Sequence, residues 1–189
     1  MIPRMLAAAF AGLFLAAAGF AESPAPGVER IKGVAADGTR YYENSLVIEA
    51  PAARLWTAFT DADAYRSWSG VPVAAIDFRL GGTVEASYLP GGRIGDPQNI
   101  RNAFIAYIPG RLLVFRNVQA PDGLPGKAEY PRTVKTIEFT PLGPGRTRVT
   151  VSGMGFAAGE GFDRLYAFFA AGDGEMLVTL KTAMEAGPK

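Results

Sequence analysis

The chain contains neither cysteine nor histidine. Without cysteine there are no disulfides, no thiol nucleophile and no lipidated N-terminal cysteine. Without histidine the commonest general base and the commonest metal ligand are both missing. Serine–histidine triads, cysteine–histidine pairs and imidazole zinc sites are therefore excluded. Glycine is abundant, but no GxGxxG or Walker-type phosphate loop occurs, and the pairs Gly81-Gly82 and Gly91-Gly92 read as turns. Asp61 and Asp63 look like helix caps, and with the region of Asp96 they supply too few oxygens for calcium. The residues imply no metal and no cofactor, and they give no catalytic set.

Long apolar runs are also scarce. The one candidate is LAAAFAGLFLAAAGFA at residues 6–21, preceded by Arg4 and followed by Glu22. A basic start, a short Ala-rich run and small residues at Gly19 and Ala21 describe a secretory signal peptide over 1–21, cut after Ala21. The run is shorter than the roughly 20 residues that span a bilayer, so cleavage is preferred over a permanent anchor. The expected location is the periplasm or the extracellular space, with no membrane attachment after cleavage. Residues 22–28 (ESPAPGV) are Pro-rich and aperiodic and read as a linker or loose arm. Removing the leader takes Arg4 and no acid from 19 basic and 18 acidic residues, which leaves a neutral protein. Neutrality gives it no electrostatic claim on nucleic acid or an anionic membrane.

What is present reads as one domain over 29–187. A strand from Glu29, the hairpin dipeptide Asp37-Gly38 and a second strand over Arg40–Glu49 come first. In that second strand Tyr42, Asn44, Leu46 and Ile48 share one face at period two. Pro51 opens a short helix with Leu55, Trp56 and Phe59 on its apolar side, and Asp61 caps another that carries Tyr65 and Trp68. Six β-rich runs follow, at 73–80, 83–89, 100–108, 111–119, 132–140 and 147–154, separated by Gly- and Pro-rich turns. The chain then returns to helical period at Phe162, Leu165, Tyr166 and Phe169, and again at Met176, Leu177, Leu180 and Met184. Gly172 and Gly174 between these stretches would cost about 2 kcal/mol in helix propensity. A break near Gly172 is expected, with Asp173 capping the second piece. Strands beside segregated helices mean α+β, an antiparallel sheet with helices on one face.

Several fragments resemble the START-like (SRPBCC, birch-pollen-allergen-like) superfamily, in its branch of homologues of the activator of heat-shock-protein-90 ATPase. They are Ala50-Pro51 leading into Leu55-Trp56 and Phe59-Thr60-Asp61, then Trp68, Asp77 to Gly82, Pro109 to Leu112, Gly145 to Val149, and Met176-Leu177 with Leu180-Lys181. The resemblance runs from about Leu46 to Ala186. It implies a helix-grip fold, a curved antiparallel sheet wrapped around a C-terminal helix with two short helices after the first strands. It also implies a hydrophobic cavity beneath that helix, and it brings no catalytic residues.

On that fold the ligand-binding candidates are Trp68, Tyr88, Phe104, Phe115, Arg116, Phe162, Tyr166 and Phe169. Each aromatic has a plainer alternative. Phe162, Tyr166 and Phe169 can be ordinary core at helical spacing, and Trp68 can anchor the short helices. Phe104 and Tyr107 lie three apart on one strand and cannot both face inward without a bulge. The strand charges Arg101, Arg116, Lys135 and Glu138 are expected on the solvated face. Arg116 is the one to check, since it shares parity with Leu112 and Val114. The leading expectation is a carrier for a small hydrophobic molecule. A cyclase- or dehydratase-like enzyme would need an inward carboxylate or Arg paired with a Tyr, with Glu138, Tyr107 or Tyr166 for acid–base work. A co-chaperone-like module would need an exposed apolar patch on the outer sheet face.

Overall fold

A computed structural model describes residues 23–186; the leader expected at 1–21 lies outside these residues. The elements are β1 (Glu29–Val34), β2 (Arg40–Ile48), α1 (Ala52–Thr60), α2 (Ala62–Ser69), β3 (Val73–Ile76), β4 (Thr83–Ser87), β5 (Ile100–Ile108) and β6 (Leu112–Gln119). A 3-10 turn over Lys127–Arg132 leads into β7 (Val134–Gly143), β8 (Arg146–Phe156) and α3 (Glu160–Glu185). All eight strands form one antiparallel sheet in the order β1-β2-β8-β7-β6-β5-β4-β3. The sheet curves around α3 in a helix-grip arrangement, with α1 and α2 between β2 and β3.

Local chemistry sets the joints. Asp37 accepts from the Thr39 backbone N–H and hydroxyl at 2.9 and 2.7 Å, which closes the β1–β2 hairpin over Gly38 at φ 83°. Asp61 accepts from the Ala64 N–H at 2.8 Å and starts α2, while Gly70 ends it in the left-handed region. The Trp68 indole donates to the Ala58 carbonyl at 2.8 Å, so one side chain ties α2 to α1. On β2 the alternation is complete: Tyr42, Asn44, Leu46 and Ile48 are buried.

The inner face of the sheet carries two apolar clusters. The larger joins Ile48, Phe59, Phe139, Val149, Leu177 and Leu180, under the C-terminal half of α3. The smaller joins Tyr42, Leu124, Tyr130, Phe156, Phe162 and Leu165, under its N-terminal half.

Two expectations are corrected here. The helix does not break at Gly172, and α3 runs without interruption from Glu160 to Glu185. Tertiary bonds explain this: Arg30 and Asn44 both donate to the Ala170 carbonyl, at 2.5 and 2.9 Å, and Asp173 is held from two sides. Three or more bonds of roughly 1 kcal/mol each outweigh the glycine penalty. The stretch 22–28 is no loose arm within its described part, because Ala25 and Val28 are buried in the larger cluster.

A bulge on β5 settles the parity problem. Phe104 pairs with Phe115, yet Ala106 pairs with Val114, so Ile105 is an extra residue and faces solvent. The slip brings Phe104 and Tyr107 to one side, where both rings touch Phe78 at 5.1 and 4.8 Å.

Candidate functional site: a cavity under the C-terminal helix

Between the two clusters the sheet and α3 stand apart. Inward positions of four strands make one wall: Val84 and Ala86 of β4, Asn102 of β5, Phe115 of β6, and Lys135 with Ile137 of β7. Phe168, Phe169, Asp173 and Met176 of α3 make the opposite wall. Tyr65 and Trp68 of α2 close one end, and Leu124 and Tyr130 of the 3-10 turn lie at the lining too. Gly172 faces this space as well, and nothing lies within 4 Å of where its side chain would be. The cavity is partly open, its volume is about 150 Å³, and its walls are mostly apolar. A dry apolar cavity of roughly that size accommodates one benzene-sized ring.

The polar groups at this wall are few and mutually bonded. Asp173, only 4% exposed although in mid-helix, accepts from the Tyr42 hydroxyl through Oδ2 and from Lys135 Nζ through Oδ1, both at 2.5 Å. The Lys135 side chain is 16% exposed, and its ammonium also lies over the Phe169 ring at 4.6 Å. Tyr42 reaches Asp173 by lying across Gly153, where any Cβ would fall 2.5 Å from its ring. The Tyr130 hydroxyl donates to Asn102 Oδ1 at 2.7 Å, and its ring stacks on Phe169 at 5.6 Å. The Tyr65 and Tyr88 phenols are hydrogen-bonded to each other.

Burial keeps these phenols protonated. Desolvation, followed by the Asp173 charge, pushes Tyr42 well above the usual tyrosine range. Desolvation is also the main cause for Tyr65, where the bonded Tyr88 adds to it, and for Tyr130, where Tyr88 nearby adds to it. The phenols are therefore hydrogen-bond donors and poor bases at neutral pH.

The structure distributes the sequence-derived candidates unevenly. Trp68, Tyr88, Phe115 and Phe169 line the cavity. Phe104 lies in the larger cluster, fully buried beside Phe115 at 4.9 Å, outside the lining. Phe162 is buried in the smaller cluster under Arg132, whose guanidinium sits 4.8 Å from its ring. Tyr166 packs against Tyr42 and Phe156 and carries Arg40 at 5.1 Å. Arg116 is exposed on the outer face, because the inward parity of β6 belongs to Leu113, Phe115 and Asn117. Glu138 is exposed as well, and Tyr107 is half-buried against Phe78.

Lys135, read as a solvated strand charge, instead points inward, and Asp173, read as a cap, is its partner. Tyr65, Asn102 and Tyr130 complete the set that sequence reasoning did not single out as site residues. The signals existed: Lys135 shares parity with Ile137 and Phe139, and Asp173 stands four residues from both Phe169 and Leu177 on the apolar stripe. Nothing in the pattern marked Tyr130, whose 3-10 turn contains Pro131 and has no periodicity.

The outer sheet face mixes exposed Ile108, Val118 and Met154 with Arg116, Glu138 and Arg148. Among the described residues no acidic cluster could hold a metal, and no helix is long and apolar enough to cross a membrane.

The comparisons with known proteins point one way. The family model described as Activator of Hsp90 ATPase homolog 1-like protein matches residues 49–185. No curated protein matches the chain. Among solved structures, CalU16 from Micromonospora echinospora is similar at 17% identity, covering 86% of each chain with a TM-score of 0.60. The Aha1 dimer from Colwellia psychrerythraea is similar at 15% identity, covering 78% of this chain and 97% of that one, TM-score 0.58. Norcoclaurine synthase from Thalictrum flavum, solved with dopamine and hydroxybenzaldehyde, is similar at 16% identity, covering 80% and 90%, TM-score 0.56. At these identities the likeness is one of fold.

Proposed function

The chain belongs to the Activator of Hsp90 ATPase homolog 1-like protein family, and from that premise we propose that it is an exported carrier enclosing one small hydrophobic molecule beneath α3. The observation that carries this reading is the cavity itself, largely apolar, between Phe115 and Ile137 on the sheet and Phe169 and Met176 on the helix. Affinity would come from removing the ligand's apolar surface from water at roughly 25 cal/mol per Å². The volume between these walls holds a group of about one ring, which is the part of the ligand that would be buried there. Export rests on Arg4 and the apolar run at 6–21.

Native mass spectrometry of the protein recovered from the cell envelope or medium tests both parts. The expected species starts at Glu22 and retains one molecule of low mass that acid or organic solvent releases. Protein that keeps Met1 and remains in the cytoplasm removes the export part. Protein that never takes up a small apolar ligand, even at saturation, removes the carrier part.

One feature favours a second reading, an enzyme acting on a hydrophobic substrate: Asp173 is an inward carboxylate paired with a tyrosine and a lysine at the cavity wall. The similarity in fold to norcoclaurine synthase is compatible with it. The occupied carboxylate oxygens and the protonated phenols weigh towards binding. Mass analysis of the molecule after incubation separates the two, since a carrier returns it unchanged and an enzyme does not.

A further inference from the structure

Two side chains at the cavity wall keep unused hydrogen-bond donors, Lys135 and Asn102. Both oxygens of Asp173 are occupied, by Lys135 and Tyr42. Its charge is balanced by Lys135, so an ionised ligand would bring an uncompensated charge into a mostly apolar space. Lys135 has three N–H donors, of which one goes to Asp173. Asn102 accepts from Tyr130 through Oδ1 and, among the described residues, makes no hydrogen bond through its Nδ2. Both residues lie on the lining. One acceptor nearby is unpartnered, Asn117 Oδ1, but Asn117 is outside the lining. Its amide orientation is fixed: the Thr133 hydroxyl donates to the Tyr130 carbonyl and so can only accept from Asn117 Nδ2.

We infer that the ligand is a neutral, single-ring aromatic carrying a carbonyl oxygen, which accepts from Lys135 Nζ or Asn102 Nδ2 while the ring lies among Phe115, Ile137 and Phe169. A ketone, ester or quinone has this chemistry. A carboxylate does not, because it adds a charge, and a ring with only a donor leaves Lys135 and Asn102 unanswered. The inference rests on the carrier reading and adds the ligand's chemical class to it.

Isothermal titration of the signal-free chain with three probes tests it: acetophenone, ethylbenzene of nearly the same shape without an acceptor, and benzoate. Acetophenone is expected to bind at least about tenfold tighter than ethylbenzene, the gain of one hydrogen bond from a charged donor. Benzoate is expected to bind more weakly than either. The bound ketone's infrared C=O stretch should fall below its value in hexane. In the triple variant Lys135→Met, Asp173→Leu, Tyr42→Phe, which removes the charged donor with its two partners and keeps Asn102, the tenfold preference should shrink to the few-fold gain of one neutral hydrogen bond while ethylbenzene still binds.

The outcomes separate cleanly. If ethylbenzene binds and acetophenone binds no better, or its carbonyl stretch stays at the hexane value, the acceptor inference is overturned and the cavity stands. If neither neutral probe binds, the carrier reading itself falls. The infrared measurement on the unaltered chain decides the matter even if the triple variant fails to fold.

Discussion

At the scale of single residues, Asp173 shows how a charge can sit under a helix. Its carboxylate accepts from Lys135 and Tyr42. Replacing Asp173 with Ala leaves the lysine without its partner, and the expected loss is about 3–5 kcal/mol in urea unfolding. Replacing Lys135, Asp173 and Tyr42 together with Met, Leu and Phe should cost far less, because no charge is then stranded. Gly153→Ala should act on the same set from a distance. The added methyl meets the Tyr42 ring at 2.5 Å, so the ring must move and loosen its bond to Asp173, at a cost of about 1–3 kcal/mol by the same unfolding measurement. Strand alternation was legible at this scale, as Tyr42 to Ile48 demonstrate. Which parity faces inward on β6 was not legible for Arg116, since alternation alone does not choose a side. The hydrophobic neighbours Leu113 and Phe115 make that choice.

At the scale of elements, α3 stays whole across Gly172-Asp173-Gly174 because its neighbours hold it there. Gly172 has no neighbour within 4 Å of its would-be Cβ, so Gly172→Ala should raise stability by roughly 0.5–1 kcal/mol, measured as an increase in Tm. The docking of the 3-10 turn is less forgiving. Gly126 has φ 70°, and a Cβ there would lie 2.3 Å from the Gly161 carbonyl oxygen at the start of α3. Gly126→Ala should therefore destabilise by more than about 1 kcal/mol and shift the near-UV circular dichroism of Tyr130 and Phe169. The eight strands and the two short helices could be placed from periodicity and turn residues. The β5 bulge and the 3-10 turn could not, because each depends on contacts between segments far apart in sequence. For the same reason the helix break was expected wrongly: propensity is local, and the bonds from Arg30, Asn44 and Lys135 are not.

At the scale of the molecule, two apolar clusters meet along a polar line through Asn44, Asp173 and Lys135. Buried tyrosines next to that line give the protein an alkaline limit. Tyr42 and Tyr130 have folded-state pKa values raised above the ordinary 10.0, chiefly by desolvation. The unfolded chain loses those protons first, so their contribution is fully present below pH 10 and is lost as pH climbs beyond it. Each should lower stability by up to about 1.4 kcal/mol per pH unit above 10. Tyrosinate absorbance near 295 nm should then rise together with the loss of circular dichroism; ionisation of these residues in a still-folded protein would contradict the account. The polar line also fixes where α3 can rest along its own axis. A slip of one turn, roughly 5.4 Å, would detach the carboxylate from both partners at once. The helix is thus pinned against sliding like a piston.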